Sequence, residues 1–284
     1  MLPASFIGVL VNFSVFYSFL GLKSMRHSFG YLSANQALAD AIHCTAFLIY
    51  YCPMVLFDSQ LLKTYSAHCG YVIMFSYDIS LASHLVISIN RFCAVWTPFK
   101  YPNIFNTKNT IYLIIAIWII YASSNYWFFE IVCPAPFSDE IHWFKYIHHD
   151  YCLAAAWYDD FFKSATTIFI FILVDIATVA KVRSTRVSTV NTSRNQAATE
   201  REKRFLLQTV TQGAIFTMEN LLYYLVPLFT NNQVVLFFAT IFLFLAAHVL
   251  DGIIVLLCNP AVRNFILCMK DSIKVSTGAQ SINA

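Results

Sequence analysis

Asn90-Arg91-Phe92-Cys93-Ala94-Val95-Trp96-Thr97-Pro98-Phe99-Lys100-Tyr101 follows directly on an apolar run from about Cys69 to Ile89. That run has the length and character of a membrane-spanning helix, which needs about 20 residues to cross about 30 Å of hydrocarbon. An arginine inside the hydrocarbon is costly, whereas at the end of a span it reaches water, headgroups or a partner. Pro98 lacks an amide donor and helps stop the helix, and the chain turns polar at Lys100. Arg91 therefore marks the end of a span.

The composition extends this reading to the whole chain. It is 58% hydrophobic and 17% aromatic but only 12% charged, against roughly 25% charged for an average soluble domain. Seven stretches meet the length and polarity of a span, roughly 2–22, 30–54, 68–90, 110–131, 158–180, 205–228 and 233–257. The remaining segments are too short to hold a sizeable soluble domain. The expected architecture is an all-α seven-transmembrane bundle over residues 1–270, with a short cytosolic tail at 271–284. Residues 1–22 lack a basic leader and read as a span rather than a cleavable signal.

Lysine and arginine set the orientation. Of the 18 in the chain, only Lys63, Lys145 and Lys163 fall on one side, and the other side collects the rest. The positive-inside bias puts the N-terminus outside. Membrane topology thus accounts for the basic residues, and the net charge of +3 gives no argument for nucleic acid. Cys69, Cys133 and Cys152 fall on the outer side, where a disulfide is permitted. Cys69 with Cys152 is the expected pair and Cys133 the competing partner, because spacing alone does not fix connectivity. No metal site or cofactor is expected.

Polar residues inside spans must find partners in the bundle. Asn12, Asp40, Ser80 and Asp251 are expected to share one water or cation network, because two nearby carboxylates repel unless a proton or cation intervenes. Tyr77, His84 and Arg91 recur every two turns on one face of span three. For His84 a hydrogen-bonded packing role is expected. Tyr77, Asp78, Glu219 and Asn220 are the ligand-pocket candidates, with Glu219 foremost as an acid within a span. A transporter or channel using Asp40, Asp78, Asp175, Glu219 and Asp251 as a relay is the alternative. No inverted repeat or pair of broken helices supports it, and no nucleophile elbow, phosphate loop or His-Glu-x-x-His motif points to an enzyme.

In this order along seven spans, the residues resemble a rhodopsin-like G-protein-coupled receptor. Asn90-Arg91-Phe92, with Pro98 and Tyr101 beyond, is similar to the family's Asp-Arg-Tyr box, and Asn12, Asp40, Cys69 and Trp118 match markers of spans one to four. Asp251-Gly252-Ile253-Ile254-Val255 stands where that family has Asn-Pro-x-x-Tyr, and Arg263 matches the arginine of a short amphipathic eighth helix. Ser83-His84-Leu85, Ile89-Asn90-Arg91-Phe92-Cys93-Ala94-Val95 and His248-x-x-Asp251-Gly252 resemble the nematode serpentine receptor class X chemoreceptors. The resemblance implies a small-molecule or peptide ligand, a heterotrimeric G protein as partner, and a multi-pass plasma-membrane protein of sensory neuron cilia. It also implies that Asn90, Arg91, Phe92, Pro98, Glu202, Asp251, Gly252 and Arg263 form the coupling switch, with Glu202 restraining Arg91. Asn90 in place of the acid, and Asn220 and Leu222 where span six is expected to carry tryptophan and proline, depart from the family pattern. An arginine without its neighbouring acid is expected to be held less tightly, which predicts basal activity.

Overall fold

A computed structural model describes residues 1–140, 142–147, 149–187 and 193–268, without the side chains at 149, 150, 153, 159, 160, 185–187 and 193–203. Seven long helices order the chain: α1 (Leu2–Gly21), α2 (Ser28–Leu56), α3 (Ser66–Trp96), α4 (Thr107–Val132), α5 (Lys163–Val187), α6 (Ser193–Phe229) and α7 (Gln233–Cys258). Each expected span falls on one of them. Six are apolar enough along a full window to cross a membrane; α6 carries Gln212, Glu219 and Asn220 and is the more polar seventh.

Local chemistry sets the ends. Pro3 occupies the first turn of α1, where its missing N–H costs nothing. Asn106 caps α4 by accepting from the Asn109 amide at 2.8 Å, and Asn232 caps α7 by accepting from Val234 at 3.0 Å. α2, α4 and α7 each contain a π-helical turn, at Phe47–Tyr51, Trp127–Val132 and Phe238–Phe242. Such a turn widens the spiral and re-aims the side chains beyond it. α3 runs past Asn90 to Trp96, so Arg91 sits within the helix rather than at its end, and the chain turns at Thr97 and Pro98.

α3 is the central element and packs on α2, α4, α5 and α6, while α1 leans on α2 and α7. Polar residues fill the interior: Asn12, Asp40, Ser80, His84, His248 and Asp251 are all buried. Ile115, Ile119, Ile120 and Ile176 lie on the outside. A bundle with wet chemistry inside and aliphatic side chains outside is built for lipid surroundings. Between α4 and α5 a two-stranded hairpin, β1 (Phe137–Ser138) and β2 (Trp143–Phe144), pairs Phe137 with Phe144. It roofs one end of the bundle, here the hairpin end; Arg91 lies at the other, the arginine end. Beyond α7, residues 260–268 are helical, and the expected tail at 271–284 lies outside the described residues.

The disulfide corrects an expectation. Cys152 pairs with Cys133, not Cys69, with Cα atoms 5.5 Å apart and a sequence separation of 19. Cys133 ends the π-turn of α4, and the short helix His149–Ala156 carries Cys152 back to it. Cys69 instead remains a free thiol packed into the apolar core beside Tyr51 and Ile73, where the loop cysteine does not reach it.

Candidate functional site

Three layers of the interior run from the hairpin end to the arginine end. The first is a cavity of about 420 Å³ lined by Trp143, Tyr146, Trp157, Tyr223, Tyr224 and Phe237 among others. β2, α6 and α7 supply most of its wall, and the lining is mainly aromatic and aliphatic. Its size lies in the range of small-molecule pockets. Tyr51 donates to the His142 carbonyl at 2.7 Å and the Phe137 amide to Ser66 Oγ at 2.7 Å, which fastens the hairpin over α2 and α3. Lys63 reaches Asp58 and, at 2.5 Å, Asp139; its bonds to Asp139 and then Asp58 raise its pKa.

Below this cavity, Tyr77, Glu219 and Asn220 line a void of about 10 Å³, room for about one water. Asn220 donates to the Tyr77 hydroxyl at 3.2 Å. Asp78 is directed elsewhere: it takes hydrogen bonds from Asn125 at 2.8 Å and from Lys163 Nζ at 2.7 Å, tying α3 to α4 and α5. Three of the four ligand-pocket candidates thus meet, and Asp78 joins a separate cluster.

The second layer is a lattice of buried carboxylates and imidazoles. Asp40 Oδ1 accepts from Ser80 at 2.7 Å and lies 2.7 Å from His248 Nδ1. Asp251 Oδ2 lies 2.9 Å from His84 Nε2 and also accepts from Gln36. Asn12 donates to the His248 carbonyl at 3.0 Å, and the His248 ring stacks on His43 at 3.8 Å between centroids. Of the expected network, Asp40 and Ser80 touch, Asn12 joins through His248, and Asp251 is held by His84 and Gln36. Gln36 and His43 were not anticipated. Their spacing with Asp40, four residues before and three after, puts all three on one helical face and was the available signal.

Aromatic contacts connect the first two layers. Tyr223 and Trp143 of the cavity wall lie 6.2 Å and 6.0 Å from Phe244, which is 6.0 Å from His248. Phe216, fully buried, is 5.3 Å from His248 and 4.6 Å from His84. A displacement at the cavity wall therefore meets the lattice after one intervening ring.

The third layer surrounds Arg91. Its guanidinium carbon is 3.6 Å from the Phe29 ring centre and 4.4 Å from that of Phe205. Asn90, in the acid's place, donates to the Tyr101 hydroxyl at 3.3 Å and so ties α3 to the following loop. Phe92 stacks on Trp96, and Pro98 sits in the turn after the helix. Arg263 donates to the carbonyls of Leu256 and Leu257 at 3.1 Å, satisfying the end of α7. The Glu202 side chain lies outside the described residues. Gly252 lets α7 approach α1: a Cβ there would sit 2.4 Å from Asn12 Oδ1. Among the described residues no group of three or more His, Cys, Asp or Glu has the arrangement of a metal site.

Residues 2–259 match the family described as serpentine type 7TM GPCR chemoreceptor Srx. Serpentine receptor class X 45 of Caenorhabditis elegans is 28% identical over 92% of this chain and 77% of its own, and serpentine receptor class X-43 of the same organism 23% identical over 91% and 82%. A crystal structure of squid rhodopsin superposes with a TM-score of 0.76 at 15% identity, covering 96% of this chain and 83% of that one. The fold is that of a rhodopsin-like seven-helix membrane protein.

Proposed function

Since the chain belongs to the serpentine type 7TM GPCR chemoreceptor Srx family, we propose that it binds an extracellular chemical ligand and activates a heterotrimeric G protein. The N-terminus and the hairpin end face outward, at the plasma membrane and in sensory neuron cilia, and the arginine end faces the cytosol with residues 260–268 as an amphipathic eighth helix. The ligand is a small molecule with enough apolar surface to fill the aromatic cavity. The observation that carries this reading is the short aromatic path from the cavity wall through Phe244 and Phe216 to the two histidine–aspartate contacts. A ligand that favours one arrangement of those rings by a few kcal/mol shifts the bundle between two populations.

Arg91 meets the G protein once α6 moves, and Glu202 contributes to its restraint beforehand. The test is a ligand screen in cells carrying a promiscuous G protein, repeated with Arg91→Ala at matched surface density. Ligand-evoked activation is expected to vanish in the variant. Unchanged activation by Arg91→Ala would overturn the assignment, and ligand-driven uptake or current in proteoliposomes without G protein would replace it with transport.

A further inference from the structure

We propose that Phe29 and Phe205 are positioning residues that hold Arg91 in the idle receptor through the faces of their rings. The inference rests on the reading of Arg91 as the G-protein contact. The two rings lie 4.7 Å apart and tilted by 54°, and the guanidinium carbon completes the triangle at 3.6 Å and 4.4 Å from their centres. The arginine thus rests in a two-ring cradle. Both phenylalanines are buried, Phe29 at the start of α2 and Phe205 in α6.

The chemistry suits the place. Guanidinium is planar, delocalised and weakly hydrated, so it lies over aromatic faces at low desolvation cost. The ring quadrupole attracts it, and more strongly where water is excluded. The cradle is also divided between helices: Arg91 belongs to α3, Phe29 to α2 and Phe205 to α6. Any outward swing of this end of α6 withdraws one ring and leaves the other, so release of the arginine and displacement of α6 become one event. Phe205 also packs in the same apolar cluster as Phe29, Ile87 and Val255. A leucine there keeps much of the packing while removing the π face, which is what makes the two contributions separable.

The experiment measures agonist-independent nucleotide exchange on co-expressed G protein, normalised to receptor at the surface. Phe205→Leu and Phe29→Leu are each expected to raise basal exchange about fivefold, the factor that corresponds to roughly 1 kcal/mol of coupling. Phe205→Tyr, which keeps the ring face, is expected to stay near the parent level. Leucine and tyrosine variants that behave alike would reduce the cradle to packing and overturn the proposal. Should one leucine variant fail to reach the surface, the other carries the same expectation. Arg91→Ala separates the two levels: a silent Arg91→Ala beside leucine variants at parent basal activity refutes the cradle alone, whereas a normally signalling Arg91→Ala refutes the reading of Arg91 beneath it.

Discussion

Asp40 and Asp251 each end on a histidine, and this decides what else they can hold. Two carboxylates in one bundle interior invite a cation, yet Asp40 Oδ1 is already engaged by Ser80 and His248, and Asp251 Oδ2 by His84 and Gln36. Each carboxylate thus has an imidazole in contact that can share a proton with it. Replacing external sodium with N-methylglucamine is therefore expected to leave ligand potency unchanged. A shift of about tenfold or more, equivalent to about 1.4 kcal/mol, would place an ion in the lattice after all. Much of the lattice was legible in the sequence, since a buried acid demands a partner and His248 lies one helical turn before Asp251. The pairing itself was not, because it crosses: His248 serves Asp40 on α2, and His84 on α3 serves Asp251. The cradle of Arg91 was hidden for a similar reason. Phenylalanines at 29 and 205 look like any apolar residues until the helices bring them together beside Arg91.

At the level of the helix, small residues set how closely α1 is packed. A Cβ at Gly252 would meet Val11 at 2.8 Å as well as Asn12, and one at Gly8 would meet Cys44 Sγ at 2.5 Å and Val249 at 2.8 Å. Such close approach replaces the hydrophobic drive that lipid surroundings remove. Gly252→Ala is expected to cost about 1–3 kcal/mol by overpacking, read as a lower thermal midpoint of the detergent-solubilised receptor. An unchanged midpoint would show that α1 shifts without penalty. The seven helices were legible because apolar length is a strong signal, and even α6 was found despite its Glu219 and Gln212. Their ends were less so. α3 continues past Asn90 to Trp96, where Arg91 lies against Phe29 and Phe205 and Trp96 donates to the Ala177 carbonyl. The polar segment between the fifth and sixth spans contributes helix at both sides, up to Val187 and from Ser193.

Across the whole molecule, the proposed orientation rests on charge and on the roof. The basic residues gather at the arginine end, and the hairpin with its disulfide covers the other. An epitope fused before Met1 is expected to be stained on intact cells, and one inserted in the loop 97–106 only after permeabilisation; the reverse pattern would invert the receptor. Cysteine connectivity was the part of this end that sequence did not reveal, because three outer thiols permit alternatives and only the fold of the loop chooses. The choice has a kinetic consequence. The covalent ring closes within the segment between α4 and α5, from Cys133 to Cys152, so among the described residues no disulfide fastens the roof to α3. Its attachment rests on reversible bonds such as those at Ser66 and Tyr51. Under the proposed function, the strength of that fastening, a matter of a few hydrogen bonds, sets how long a ligand in the aromatic cavity would dwell beneath it, and so how quickly the signal would fade once the stimulus has gone.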